Sequence, residues 1–297
     1  MIDAGDHRRE ARLPQGRTTL QQEARQAVPP LPLPLPHGTS GAIQAGPAPP
    51  PPPLPGQRVD VGGYRLYIDC TGTGSPSVVF EAGQGGAAAT SPLPRARTVR
   101  AAVAQDVRVC AYDRAGLGAS DPRPAGVAAT GDRYADELHT LLAGANVPGP
   151  YVLVGPSFGG LVVTAFAMRY PGDTAGLVFL DADQPCPQEC TYEPPEASTF
   201  DVSAATFGSR PVAVLVAEFG SRVDGRSFAN RSTNSLRVTA LGSGHAIISD
   251  KPDLVAAATR LVAAAARTGT SLPPYAQSPL AAAARPSARP SRLRPRR

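Results

Sequence analysis

The chain has 297 residues, 42% hydrophobic and 18% charged, with a formal net charge of +5. That length supports one domain of ordinary size or two small ones, and no apolar run reaches the roughly 18 residues of a membrane helix. The basic balance sits at one end. Residues 269–297 hold six arginines (Arg285, Arg289, Arg292, Arg294, Arg296, Arg297) and no acid, so the remainder sums to −1 and the basic balance does not imply a basic binding face on the folded part.

Residues 1–56 include "VPPLPLPLPHG" and "PAPPPPPLPG" and show no sustained periodicity. They read as a disordered, partly polyproline-II arm, a spacer in preference to a ligand for a proline-binding domain. The arm has no apolar core of a secretory signal, so the expected compartment is the cytoplasm. The C-terminal segment 269–297 is expected to be a disordered basic tail that touches anions only non-specifically, with no specific nucleic-acid partner. Neither end carries enough apolar surface to join a core. One globular domain, about residues 57–268, remains.

From Tyr64 onward the domain alternates strand and helix patterns. "YRLYIDC" is apolar at every second residue, and "TGTGSP" turns the chain. "SVVFEAG" and "VRVCAYD" are short buried strands. Tyr134, Leu138, Leu141, Leu142 and Ala145 recur at helical spacing, which predicts an amphipathic helix over 132–145. "YVLVG" is a strand and "LVVTAFAMRY" a buried helix ending before Pro171. "AGLVFLD", "RPVAVLVAEF" and "SLRVTALG" are strands. The last helix runs from about Pro252 to Ala266, with Leu254, Ala258, Leu261, Val262 and Ala265 as its apolar stripe. Continuous apolar strands interleaved with helices predict an α/β fold: a mostly parallel sheet covered on both faces. Chemistry in such sheets gathers at the carboxyl ends of the strands. Gln84, Ser157, Asp181 and His245 all fall there.

"YVLVGPSFGG" places Ser157 on a strand-to-helix turn between Gly155 and Gly159–Gly160. Such a turn strains the serine backbone and exposes its hydroxyl above the sheet edge, which is a nucleophile elbow. A phosphate-binding loop would need a G-K-[ST] that is missing. A serine hydroxyl is a weak nucleophile and needs a base. His7 and His37 lie in the arm and His139 in mid-helix, so the base is His245, on a Gly-Ser-Gly loop after the last strand. An acid must orient the imidazole. Asp181, ending "GLVFLD", is the first choice, Asp224 the alternative and Glu218 a weaker third. Asp183 reads as a solvated loop residue. The amides of Gln84, in "VVFEAGQGG", and of Phe158 are candidates to hold a developing oxyanion. No cofactor is needed. Cys186 and Cys190 form a lone C-x₃-C without a nearby histidine, which matches no zinc site.

Together "VVFEAGQGG", "VCAYDRAGLGASDP", "PYVLVGPSFGGLVV" and "GSGHAIISDKPDLV" resemble the α/β-hydrolase fold family over about residues 57–268, in its bacterial serine esterase and haloperoxidase-like branch. The resemblance implies an eight-stranded, mostly parallel sheet and a Ser–Asp–His triad, with Ser157 as nucleophile, His245 as base and the amides of Gln84 and Phe158 as oxyanion hole. It implies a cofactor-free hydrolase of a small carboxylic ester, thioester or lactone, with perhydrolase or aminopeptidase chemistry on the same triad as variants. A non-catalytic relative that binds a small ligand or partner is the alternative. Dehalogenases and epoxide hydrolases of this fold use an aspartate nucleophile, against which Ser157 speaks. The chain departs from the branch at Pro156, where histidine is common, and in having no tryptophan. Its cap is reduced to about residues 183–209. The resemblance also sets the strands of Cys70 and Cys110 side by side and antiparallel, which predicts two thiols within disulfide reach; in the reducing compartment expected here, proximity is predicted ahead of a bond, which is left open.

Overall fold

The computed structural model describes residues 56–91, 93–183, 200–221 and 225–285. One sheet of eight strands organises them: β1 (Gln57–Asp60), β2 (Arg65–Thr71), β3 (Ser77–Phe80), β4 (Val109–Asp113), β5 (Tyr151–Pro156), β6 (Thr174–Leu180), β7 (Val212–Ala217) and β8 (Ser235–Ala240). Their order across the sheet is β1-β2-β4-β3-β5-β6-β7-β8. Only β2 runs against its neighbours; from β4 to β8 every pairing is parallel.

Successive side chains of a strand point to opposite faces, and each face finds its own helices. Leu153, Leu177 and Phe179 point to the side of α2 (Gly131–Gly144) and α3 (Gly159–Arg169), where Leu138, Leu141, Leu142, Val162 and Phe166 meet them. Val152, Val154, Val178 and Leu180 point to the other side. There they meet Val99 and Val103 of α1 (Pro94–Val103) and Leu254, Val255, Ala258 and Val262 of α6 (Pro252–Thr268). Burial on both faces is why the central strands are apolar at every position rather than at alternate ones. Short helices α4 (Arg226–Ala229), α5 (Ile247–Asp250) and α7 (Leu280–Ala283) complete the set. Helix α1 is absent from the sequence reading. Its stretch "PRARTVRAAV" shows Arg95 and Arg97 to solvent, and only Ala96, Val99 and Val103 are buried apolar positions, too thin a stripe to stand out.

Cys70 stands directly opposite Cys110 in the antiparallel β2–β4 pair, as expected, but the two are joined as a disulfide with Cα atoms 4.0 Å apart. The proximity that the resemblance implies is thus found, and the bond left open is formed: cross-strand register brings the sulfurs within bonding reach.

The expected start of the tail at residue 269 is also corrected, because the fold continues to Arg285. Gly269 ends α6 in a left-handed conformation (φ 66°) and turns the chain back. Leu272 N–H then donates to Asn234 Oδ1 (2.7 Å), and Lys251 Nζ donates to the carbonyl of Arg285 (3.1 Å). Leu280 and Ala284 are fully buried in the core that contains α1 and α6. Five small apolar residues around one helical turn are too short a signal to register as periodicity, and the covering helix is what gives them a place. The arm 1–55, the arginines from Arg289 onward, Cys186 and Cys190 lie outside the described residues. Of the cap, 200–209 is described. It contains no helix and packs Phe200, Val202, Ala205 and Phe207 into the core.

Candidate active site

Strand β5 carries the serine. Ser157 follows it directly with φ 49°, in the left-handed region, and α3 begins two residues later. Three glycines make this turn sterically possible. A Cβ at Gly155 would lie 2.7 Å from the carbonyl oxygen of Gly159, one at Gly159 2.6 Å from that of Ala82, and one at Gly160 2.4 Å from Ala182 Cβ. Each distance is shorter than van der Waals contact, so backbone packs on backbone where any side chain would intervene. The turn is locked from the neighbouring strand: Ser157 N–H donates to Leu180 O (3.1 Å), and the serine carbonyl accepts from Asp183 N–H (3.0 Å) and Gly160 N–H (2.9 Å). The side chain is left half-buried at the sheet edge.

Asp181 and His245 are brought together by the next strands. Asp181 closes β6 with φ 43° and is anchored by its own N–H to Leu215 O (2.8 Å). Its Oδ2 lies 2.7 Å from His245 Nδ1, while Oδ1 accepts from Ser221 Oγ (2.6 Å) and Ala217 N–H (3.1 Å). The Asp181 side chain is 2% exposed and that of His245 55%. Burial works to raise the carboxyl pKa of Asp181, but the hydrogen bonds from His245, Ser221 and Ala217 outweigh it and hold the group below the usual carboxylate range. Strand β8 is two strands away from β6, so the histidine loop must cross the end of β7. It is tied there by Glu218 and Phe219 N–H groups to Ser243 O (both 3.1 Å), by Gly242 N–H to Glu218 Oε2 (2.6 Å) and by Gly244 N–H to Asp250 Oδ2 (2.9 Å). Glu218, the third choice for the acid, thus holds the loop and not the ring. Asp224, the alternative acid, lies outside the described residues.

Gln84 sits in the exposed turn after β3, and Phe158 opens α3, whose first-turn N–H groups have no intrahelical acceptors. The "YDRAGLGAS" stretch lies beneath the same loop. Asp113 accepts from the N–H groups of Ala89 (2.9 Å), Thr90 (3.2 Å) and Ala119 (3.1 Å) and from Thr90 Oγ1 (2.8 Å). Gly118 is obligatory here, since a Cβ would lie 2.1 Å from Asp113 Oδ2.

Sequence reasoning passed over two residues. Asp183 is not merely solvated: its Oδ2 lies 3.4 Å from Ser157 Oγ, a proximity for which one aspartate in a polar loop gives no signal. Ser221 bonds the acid from the loop after β7, and nothing in "EFGSRVDG" distinguishes it from a turn serine. Among the described residues no group of three His, Cys, Asp or Glu side chains could hold a metal ion, and no helix is long and apolar enough to cross a membrane.

The family model described as serine aminopeptidase S33 matches residues 95–185, a span that includes Ser157 and Asp181. An uncharacterised protein of Schizosaccharomyces pombe is 40% identical over 88 residues, 28% of this chain and 15% of that protein. The uncharacterised YqjL of Bacillus subtilis is 34% identical over 111 residues, 37% of this chain and 41% of that one. The chain thus spans less than half the length of these curated relatives. Among solved structures, a thermophilic esterase from Thermogutta terrifontis superposes with a TM-score of 0.54 at 23% identity, covering 69% of this chain and 96% of that one. With the eight-stranded order, the serine turn and these matches together, the chain has the α/β-hydrolase fold.

Proposed function

We propose that the chain is a serine hydrolase that cleaves a small carboxylic ester, thioester or lactone through an acyl-enzyme. Ser157 Oγ attacks the carbonyl carbon, and its proton passes to Nε2 of His245. The N–H groups of Gln84 and Phe158 hold the oxyanion that forms. Collapse of the tetrahedral intermediate breaks the bond to the leaving group, which takes the proton from Nε2. Water then attacks the acyl-serine with Nε2 again accepting a proton, and collapse of this second tetrahedral intermediate breaks the acyl–Oγ bond, releases the acid and returns the proton from Nε2 to Ser157 Oγ. Asp181 fixes the ring with Nδ1–H toward itself and balances the imidazolium charge.

The observation that carries this reading is the 2.7 Å contact of buried Asp181 with His245 Nδ1, beside a serine held at positive φ on a strand-to-helix turn. The experiment is a panel of 4-nitrophenyl esters of graded chain length, run on wild type and Ser157→Ala, with an aryl phosphonate to mark the nucleophile. Ser157→Ala should melt like wild type and lose turnover by a factor on the order of 10⁶. Phosphonate on any other residue, or a variant within tenfold of wild type, would end the assignment. The family-model match makes aminoacyl arylamides the second arm of the panel. Turnover of these in preference to esters would move the substrate class to amides on the same machinery.

A further inference from the structure

The loop after β3 has no regular structure, yet it carries Gln84, whose N–H must point at one spot to stabilise an oxyanion. Arg114, the residue after β4, lies against this loop and is 3% exposed. Its Nη1 donates to Ala82 O (2.7 Å) and its Nη2 to Gly83 O (2.7 Å). Glu81, equally buried, pairs with the guanidinium and also accepts from Tyr112 Oη and from Ala82 N–H (2.7 Å). The guanidinium carbon lies 5.2 Å from the ring centroid of Phe158, the residue that supplies the other amide. Burial pulls the Arg114 pKa down, but the charge and hydrogen bond of Glu81, together with Tyr112 and Tyr134, more than offset this and raise it, and the side chain stays a cation.

The peptide between Gly83 and Gln84 is trans, so its C=O and N–H point in opposite directions. Holding the Gly83 carbonyl against the guanidinium turns the Gln84 N–H away from it, and holding the Ala82 carbonyl does the same for Gly83 N–H. Gly83 also backs directly onto the nucleophile: a Cβ there would lie 3.5 Å from Ser157 Cβ. If the 83–84 peptide flipped, the guanidinium would lose an acceptor, and a carbonyl would stand where an amide donor is required.

We propose that Arg114 is the positioning residue of the oxyanion hole: it clamps the carbonyls of Ala82 and Gly83, stacks on Phe158, and so fixes the orientation of both donor amides. This rests on the reading of Ser157 as nucleophile and of Gln84 and Phe158 as donors. A role in stability alone predicts a lower Tm with unchanged kcat in the molecules that remain folded. A positioning role predicts a fall in kcat.

The test uses the full chain, 4-nitrophenyl acetate and an alkyl trifluoromethyl ketone, which becomes a hemiketal oxyanion on the serine. Arg114→Lys keeps the charge beside Glu81 but offers one point donor in place of a fork. Its kcat should fall on the order of 10²-fold, as for loss of one oxyanion donor, with KM within about threefold and ketone affinity falling by the same factor as kcat/KM. Arg114→Met with Glu81→Gln removes the buried charge with its partner, and gives the same readout if the lysine variant does not fold. Either folded variant with kcat within threefold of wild type, or a loss of kcat with ketone affinity unchanged, overturns the proposal. Phosphonate labelling of wild-type Ser157 separates the two readings. Label and turnover without an Arg114 effect sink this inference alone, while neither label nor turnover sinks both.

Discussion

On one side of Ser157 the site is built from backbone, and on the other from side chains. Toward β3 the parts are peptide groups: the loop 81–86 and the start of α3, pressed together because Gly159 lacks a side chain, with buried Arg114 and Glu81 beneath. Toward β6–β8 the parts are the Asp181 carboxylate, the Ser221 hydroxyl and an imidazole whose side chain is 55% exposed on a loop. The difference fits what the proposed mechanism asks of each half. In it, donor amides must not move as charge develops, and rigid backbone contact costs no reorganisation. The proposed base must exchange protons with successive partners, so it needs access and is oriented by one strong contact.

The comparison breaks most sharply at Asp181. If that carboxylate alone orients His245, Asp181→Asn lowers kcat on the order of 10⁴-fold through loss of the correct tautomer, while Asp224→Asn stays within about threefold; steady-state rates on one ester check both. The reverse pattern would transfer the acid to the loop after β7. A mutation remote from both halves calibrates them. Leu280→Ala empties a fully buried position between α6 and α7, and should cost about 2 kcal/mol, a fall in Tm of about 5 °C, with kcat unchanged at 25 °C. No change in Tm would show that residues 270–285 add nothing to the domain.

Ser221→Ala sharpens the side-chain half. It removes a hydroxyl 2.6 Å from Asp181 Oδ1 but leaves the His245 and Ala217 contacts, so kcat should fall about tenfold, in keeping with one hydrogen bond to a charged group. The smallest effect is on pH. The Asp181 pKa is lowered in the fold, so its contribution to stability is complete above the unfolded carboxyl value near pH 4 and is lost as pH falls through the lower folded value. Thermal melts of wild type and Asp181→Asn should therefore converge between about pH 5 and pH 3. Curves that stay parallel would show that the carboxylate is not favoured by the fold.

The two halves were also unequally legible. Gly-x-Ser-x-Gly behind an apolar strand is a local pattern with a local cause, and so the elbow at Ser157 could be read from ten residues. The histidine could be found by elimination, since His7, His37 and His139 occupy unsuitable segments. The acid could be ranked but not settled, because Asp181 and Asp224 both follow apolar strands, and which one meets His245 depends on how the loop after β8 crosses β7. Asp183, Ser221 and Arg114 were invisible as partners of the site. Each sits in an ordinary polar context, and its contacts span between 26 and 40 positions of chain.

The sequence by itself determined what local physics can encode: the alternation of strand and helix, the apolar strands of a sheet buried on two faces, the glycine-bounded serine turn and the candidate base. Tertiary structure alone decided the rest. It set Cys70 against Cys110 through antiparallel register, drew residues 270–285 onto α6, and turned the carboxylate of Asp181 to His245. Each of these depends on which strands lie side by side and how far a loop must travel between their ends, and sheet order is a property of the whole chain that no short stretch of it contains.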